Sequence, residues 1–403
     1  MTVISNHQQS RGQRRRVLVT LCVTEITSWG VLYYAFPVLS GDIIAATGWS
    51  TGVVTAAFSA GLLVAAGVGV LVGRWIDRDG PRLVMTCGSV LAVLALLAVA
   101  AAPSPAWFVA AWVAGGAAMA AVLYPPAFAA LTRWHGADRV RALTVLTLAA
   151  GLASTVFAPL TASLAAHLDW RWTYVVLAVV VAVVTVPGHW WGLRGPWPKP
   201  DGPSPARVHD RPQEIARSRP FVLLAVALGI TAFTAMAVIM HLVPLMAERG
   251  IDTRTAAVAL GLGGVGQLAG RLAYGALARH TSVRARTATI VLGTAATTAV
   301  LGVVTSIAAL VAAAVAAGVV RGIFTLLQAT AVTDRWGSTH YGRLSGLLTA
   351  PATVAMALAP WGGAALARLL GGYPAAFLVL ALASLTAVAL ALAGTPTTPA
   401  PRR

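Results

Sequence analysis

The chain is 403 residues long, 58% hydrophobic and only 10% charged, with a mean hydropathy of +0.79. Soluble globular chains carry about 25% charged residues, so this chain cannot maintain a water-facing surface and lipid must be most of its solvent. The net charge of +17 does not point to nucleic acid, because the arginines sit a few at a time between long apolar runs, and Cys22 and Cys87 lie inside such runs and suggest neither a disulfide framework nor a metal cluster.

Crossing the hydrocarbon core takes about 20 apolar residues, and twelve such runs follow one another. A basic tail, residues 1–16, leads into a first span at 17–40. That run is too long for a signal peptide and has no small-residue cleavage site, so it reads as an uncleaved span. It contains Glu25 and the segment Tyr34-Ala35-Phe36-Pro37. Gly48-Trp49-Ser50 precedes the second span, 51–72, and the loop after it reads Gly73-Arg74-Trp75-Ile76-Asp77-Arg78-Asp79-Gly80-Pro81-Arg82. Spans at 83–102, 106–131, 142–166 and 172–191 complete a first half, 17–192. The fourth span carries Tyr124-Pro125-Pro126-Ala127 and runs into Arg133-Trp134; the fifth carries Ala158-Pro159.

Residues 193–220, rich in proline, arginine and aspartate, form a flexible linker. Its expected role is tethering, with some attraction to anionic lipid headgroups. The second half, 221–393, has spans at 221–246, 255–278, 287–305, 307–331, 344–370 and 375–393, and a tail at 394–403 ends the chain. His241 falls near the end of the seventh span and is expected to be a hydrogen-bonded helix-end residue. Gly261-Leu262-Gly263-Gly264-Val265-Gly266 has dinucleotide-loop spacing, yet it sits inside a span with no strand before it, so close helix packing is its expected use.

Arginine and lysine placement orients the chain. With the N-terminus in the cytoplasm, 23 of the 29 basic residues fall on the inside; only Arg171, Arg249, Arg254 and Arg368 fall outside, and Arg271 and Arg321 lie within spans. Positive residues favour the cytoplasmic side, so both termini are expected there, in the cell (inner) membrane. The halves also repeat at an offset of 202 residues: Gly73 matches Gly275, Arg82 matches Arg284, Arg133-Trp134 matches Arg335-Trp336, and Arg141 matches Arg343. A parallel repeat of two six-helix halves implies an axis along the membrane normal and a substrate site near midplane between the halves.

The segment from Gly73 to Arg82 closely resembles the signature loop of the major facilitator superfamily. The resemblance implies an all-α integral membrane fold of twelve transmembrane helices in two pseudo-symmetric six-helix halves. It also implies a cytoplasmic gate motif, here Gly73, Asp77, Arg78, Gly80 and Arg82, in which Asp77 sits against a helix N-terminus in the other half. Tyr34 to Pro37, Gly48 to Ser50, Tyr124 to Ala127 and Gly270-Arg271 further resemble the monocarboxylate transporter and oxalate/formate antiporter branch. The likeness touches helices 1, 2, 4 and 8. It departs at Val38, where many relatives have a proton-coupling lysine, and at Arg14-Arg15-Arg16, which replaces an acidic-Gly-Gly-Trp start.

Three ionisable residues lie within apolar runs: Glu25, Arg271 and Arg321. Each costs about 2.5–3.5 kcal/mol at the centre of a span on insertion scales, a cost offset only by pairing, water or function. At the 202-residue offset their partners are Ala227, Gly69 and Met119, so all three break the internal symmetry. Arg271 is suited to capture a substrate carboxylate with its planar guanidinium, and the resemblance gives an arginine here the substrate-binding role; the plain alternative is snorkelling to the interface. Arg321 is either a second substrate contact or the partner of Glu25 or of a backbone carbonyl. Glu25 is either the proton-coupling acid or a counter-ion. Tyr124 and Tyr34 are candidate substrate contacts, with a packed kink as the alternative for Tyr124. No nucleophile motif, phosphate loop or metal cluster stands out, so neither an enzyme nor a cofactor is expected. The expected function is secondary transport of a small organic anion by a monomer, with protons or a counter-substrate as coupling partner. Drug or metabolite efflux by proton antiport is the alternative, although Ala158-Pro159 is only a reduced form of the antiporter signature.

Overall fold

The computed structural model describes residues 2–197 and 212–394. Part of the expected linker and the final tail, with Lys199, Arg207, Arg211, Arg402 and Arg403, lie outside the described residues. No strand occurs among the described residues. Among the described residues eleven helices are long and apolar enough to cross a membrane, and one of them, Pro105–Ala165, is 61 residues long. At about 1.5 Å per residue that is about 90 Å, enough for two crossings of a core about 30 Å thick. It turns at Gly136–Asp138 and supplies the fourth and fifth spans, so the fold has twelve crossings.

The chain divides into two compact units: Met1–Ser204 with Ser338–Gly346, and Pro205–Gly337 with Leu347–Arg403. Each is built on the same local signals. Ser50 accepts a hydrogen bond from the Val53 N–H and starts Thr51–Asp79; 202 residues on, Asp252 does the same for Thr255 and starts Thr253–His280. Ser104 and Ser306 cap Pro105–Val122 and Ile307–Thr330 in the same way, again 202 apart. Each cap satisfies an N–H that the helix itself leaves orphaned, worth about 1 kcal/mol.

Those paired helices then meet through glycine. In the first unit, a Cβ on Gly116 would overlap the Gly61 carbonyl; in the second, a Cβ on Gly318 would overlap the Gly263 carbonyl. Both pairs are 202 apart. Small residues let helix backbones approach closely where lipid offers no hydrophobic drive to associate. The glycine run at 261–266 belongs to this seam, with Gly266 held against the Val315 backbone.

Several boundaries differ from those read in the sequence. The first helix starts at Thr2, well before residue 17, because glutamine and arginine are good helix formers and carry the helix out of the membrane. The signature segment is mostly helix: Thr51–Asp79 runs through Gly73 and Asp77, and the turn is a single residue, Gly80, at φ +83°. Nothing from Arg74 to Asp79 breaks a helix; Gly80 takes a positive φ freely, and Pro81 starts the next helix without losing a bond.

The spans of the first unit are interrupted. A π-helical stretch, Gly30–Tyr34, divides the first span, and another, Gly188–Gly192, ends the sixth. Leu123, in extended conformation, separates Pro105–Val122 from Tyr124–His135, and Leu152 separates Arg139–Gly151 from Ala153–Ala165. Pro125 and Pro126 lack N–H groups and cannot continue the ladder of the helix before them.

Candidate functional site

The signature residues surround a half-buried carboxylate in the first unit. Asp77 Oδ1 accepts from the Gly342 N–H at 2.8 Å and Oδ2 from the Arg343 N–H at 2.8 Å. Those are orphan donors in the first turn of Tyr341–Leu370, where the helix dipole also favours a negative charge. Arg133, its side chain 6% exposed, lies 3.9 Å from Asp77 Oδ1 and donates to the Thr339 carbonyl at 3.1 Å. Gly73, Gly342 and Gly346 permit this approach: a Cβ on Gly73 would overlap the Gly342 carbonyl, and one on Gly346 would come within 2.7 Å of the Gly69 carbonyl. Arg82 donates to the Trp190 carbonyl at 2.9 Å and stacks on that ring at 4.1 Å. Among the described residues Arg78 pairs only with its exposed neighbour Asp79 at 3.5 Å, a contact worth little.

A residue of the expected linker joins this group. Trp197 meets Trp134 edge-on at 5.1 Å, lies under the Arg133 guanidinium at 5.0 Å and covers Gly80. Its aromatic character inside a polar, proline-rich stretch was the available signal.

Deeper in the same unit, Glu25 is fully buried, and neither carboxylate oxygen makes a hydrogen bond among the described residues. The Trp29 indole lies alongside it one turn on, without closing a hydrogen bond. Trp29 links the aromatic candidates: its ring is 6.5 Å from Tyr34, 5.3 Å from Tyr33 and 4.9 Å from Tyr124, which stacks on Phe128. The π-stretch and the Leu123 break present Tyr34 and Tyr124 here, and Gly30 keeps the bulge tight, since a Cβ there would overlap the Phe157 ring. Broken helices are tolerated in membranes where they are buried in protein or line a cavity, and π-bulges concentrate at functional positions.

In the second unit Arg271 is 4% exposed on Thr253–His280. Arg321, on Ile307–Thr330, donates from Nη2 to Oε1 of Gln267 at 3.3 Å. Gln267 precedes Arg271 by one turn, so the two share a helix face. Gly322 places the Gln267 carbonyl and the Arg271 N–H against the partner helix, because a Cβ there would overlap both. The structure thus gathers Gln267, Arg271 and Arg321 at one level of one helix seam. Sequence reasoning singled out the arginines and missed Gln267; an apolar partner 202 residues earlier, Ala65, was the signal.

Farther along these helices is a second polar group. Arg335 donates to Thr287 Oγ1 at 2.6 Å and to the Ala331 carbonyl at 3.3 Å; Arg286 pairs with Asp334 and lies 5.7 Å over the Tyr274 ring; Tyr274 and Thr330 share a hydrogen bond. His241 differs from its expected role: its ring stacks on Tyr373 at 5.1 Å and faces Gly363, with no hydrogen bond among the described residues. Among the described residues no three histidine, cysteine or acidic side chains gather as a metal site.

Residues 21–308 match the Major Facilitator Superfamily. The chain belongs to this superfamily. It is a multi-pass integral membrane transporter, and its fold is that of solved members. The E. coli fucose:proton symporter FucP superposes with a TM-score of 0.73 at 14% identity, over 94% of this chain and 98% of that one. A FucP structure in the outward conformation gives 0.74 at 15% identity, over 94% and 99%. The human organic anion transporter MFSD10 (TETRAN) gives 0.72 at 18% identity, over 94% and 99%. No curated protein matches the sequence significantly.

Proposed function

We propose that this major facilitator protein moves a small, monocarboxylate-like organic anion by alternating access, coupled to protons or to exchange, as a monomer in the cell membrane with both termini cytoplasmic. The observation that carries the proposal is Arg271: a guanidinium 4% exposed, on a helix seam where the first unit has Gly69. A guanidinium matches a carboxylate with two parallel N–H bonds, a geometry that an ammonium or an apolar side chain at this position would lack. Arg321 stands beside it through Gln267 as a second substrate contact. Tyr34 and Tyr124 are the proposed substrate contacts of the first unit. Glu25 is the proposed proton carrier, since it is fully buried and its oxygens make no hydrogen bond among the described residues, an environment that disfavours a fixed charge. Gly73, Asp77, Arg78, Gly80 and Arg82 form the proposed cytoplasmic gate, closed when Asp77 holds the first turn of Tyr341–Leu370. Membership of the monocarboxylate and oxalate/formate branch rests on the sequence motifs.

Purified protein in proteoliposomes should take up at least one of labelled lactate, pyruvate, acetate and oxalate. Arg271→Lys keeps the charge and loses the fork, so kcat/KM should fall at least about tenfold with unchanged protein yield. Uptake at wild-type rates by both Arg271→Lys and Arg271→Ala would overturn the anion reading.

One observation favours a second reading, efflux by proton antiport: the aromatic group of Trp29, Tyr33, Tyr34 and Tyr124 beside Glu25. Aromatic faces with a nearby carboxylate suit apolar or cationic compounds. Proton-driven export of a cationic dye, lost in Glu25→Gln and kept in Arg271→Ala, would select it.

A further inference from the structure

We propose that Gln267 is a specificity-determining residue that selects carboxylates bearing a second acceptor oxygen; this rests on the anion reading above. The argument starts from the repeat. The glycine seam of the second unit copies that of the first, with Gly263 and Gly318 in the places of Gly61 and Gly116. Gln267, Arg271 and Arg321 take the places of Ala65, Gly69 and Met119 on the same two helices. Three polar side chains therefore enter one level of a seam whose Gly61–Gly116 contact is repeated at Gly263–Gly318. A packing role would be met by small or apolar residues, as it is in the first unit.

The hydrogen bond fixes the direction of the amide. Arginine only donates, so the atom of Gln267 that faces Arg321 Nη2 at 3.3 Å is the carbonyl oxygen. The amide nitrogen, with two N–H donors, is then turned away from Arg321. It makes no hydrogen bond among the described residues, and Gln267 is half-buried rather than sealed. Gly322 prevents the arrangement from relaxing, since the backbones of Gln267 and Arg271 lie against it. The result is a neutral N–H donor one helical turn from the Arg271 guanidinium and on the same face. A carboxylate engages the guanidinium; an acceptor oxygen on the adjacent carbon, oxo, hydroxyl or second carboxylate, engages the amide. A site built to hydrogen-bond such an oxygen discriminates against the analogue that lacks it, because the donor is left unpaired.

Pyruvate and acetate differ by this oxygen-bearing carbon and serve as probes in proteoliposomes. The wild type should prefer pyruvate in kcat/KM. Gln267→Leu also releases Arg321, so both probes should lose some kcat/KM, but pyruvate should lose about tenfold more than acetate, collapsing the preference. Gln267→Asn, which keeps the amide on a shorter stem, should retain part of it. Equal losses for both probes in Gln267→Leu would mean that Gln267 only positions Arg321, and would overturn the proposal. So would a preference unchanged in Gln267→Leu. Absence of uptake of every carboxylate by the wild type would instead overturn the anion reading itself, and this inference with it. Yield and monodispersity of each variant in detergent exclude misfolding as the cause of a loss.

Discussion

In the first unit the first, fourth, fifth and sixth spans are interrupted, by two π-helical stretches and by the breaks at Leu123 and Leu152. In the second, Arg219–Glu248, Thr253–His280 and Ile307–Thr330 run for 30, 28 and 24 residues, the first of them straight through Pro244. The polar chemistry divides along the same line. The first unit presents aromatic rings at its breaks and buries one carboxyl, Glu25, among them; the second sets two arginines and a glutamine on unbroken helices. Beneath both lie the same caps and the same glycine seam. The duplicated plan therefore lives in features that stabilise helices and bring them together, and the divergence lives in side chains that the scaffold does not need.

The end of the third span and its repeat, the ninth, make the same point. Helix ends leave carbonyls unsatisfied and carry partial negative charge. In the first unit Arg171 donates to the Ala100 and Ala102 carbonyls; in the second Arg249 donates to those of Leu301 and Gly302, the latter 202 residues from Ala100. The two arginines come from different places, one in the first turn of Trp170–Pro187 and one just after Arg219–Glu248. Arg133 and Arg335, at matching positions, also diverge: one approaches Asp77 and the Thr339 carbonyl, the other Thr287 and its own helix.

The comparison breaks most visibly at glycine. Gly116→Val and Gly318→Val should both lose most folded protein from the membrane, because each Cβ meets a backbone carbonyl that cannot move aside; fluorescence-detected size exclusion reads the loss. Gly73→Val should be as damaging, whereas its repeat Gly275→Val should be nearly neutral, as nothing lies within 4 Å of a Cβ there. Equal effects at 73 and 275 would contradict the asymmetry.

Next in size is the carboxylate at the first turn of Tyr341–Leu370. Asp77→Asn removes a charge that accepts two N–H groups, with an expected cost to the proposed closed gate of about 1–2 kcal/mol. That shifts the proposed gate equilibrium about 5–30-fold towards open, which accessibility of a cysteine in place of the buried Ser345 would report together with slowed transport. Asp79→Asn should change neither, since its side chain is 52% exposed and, among the described residues, paired only with Arg78.

Smallest are the two capping arginines. Arg171→Ala and Arg249→Ala should each destabilise the protein by about 1 kcal/mol, seen as a drop of a few degrees in thermal unfolding. The effects should add when the two are combined, because the caps lie in different units.

Residues 1–403 determined by themselves the number of crossings, the 202-residue repeat and the three charges that break it. Insertion depends on the composition of some 20 consecutive residues, and helix caps act over three, so both can be read locally. What Gly73 and Gly275 do could not be read so: identical residues at matching positions, one pressed against a carbonyl and one in open space. The donors to Asp77 stand 265 and 266 residues away in the chain, and the acceptor for Arg321 stands 54 away. Gln267 is unremarkable beside two buried arginines until the hydrogen bond to Arg321 turns its amide. Close approach and hydrogen-bond direction are properties of pairs brought together by packing, and they belong to the tertiary structure because no single stretch of sequence contains both partners.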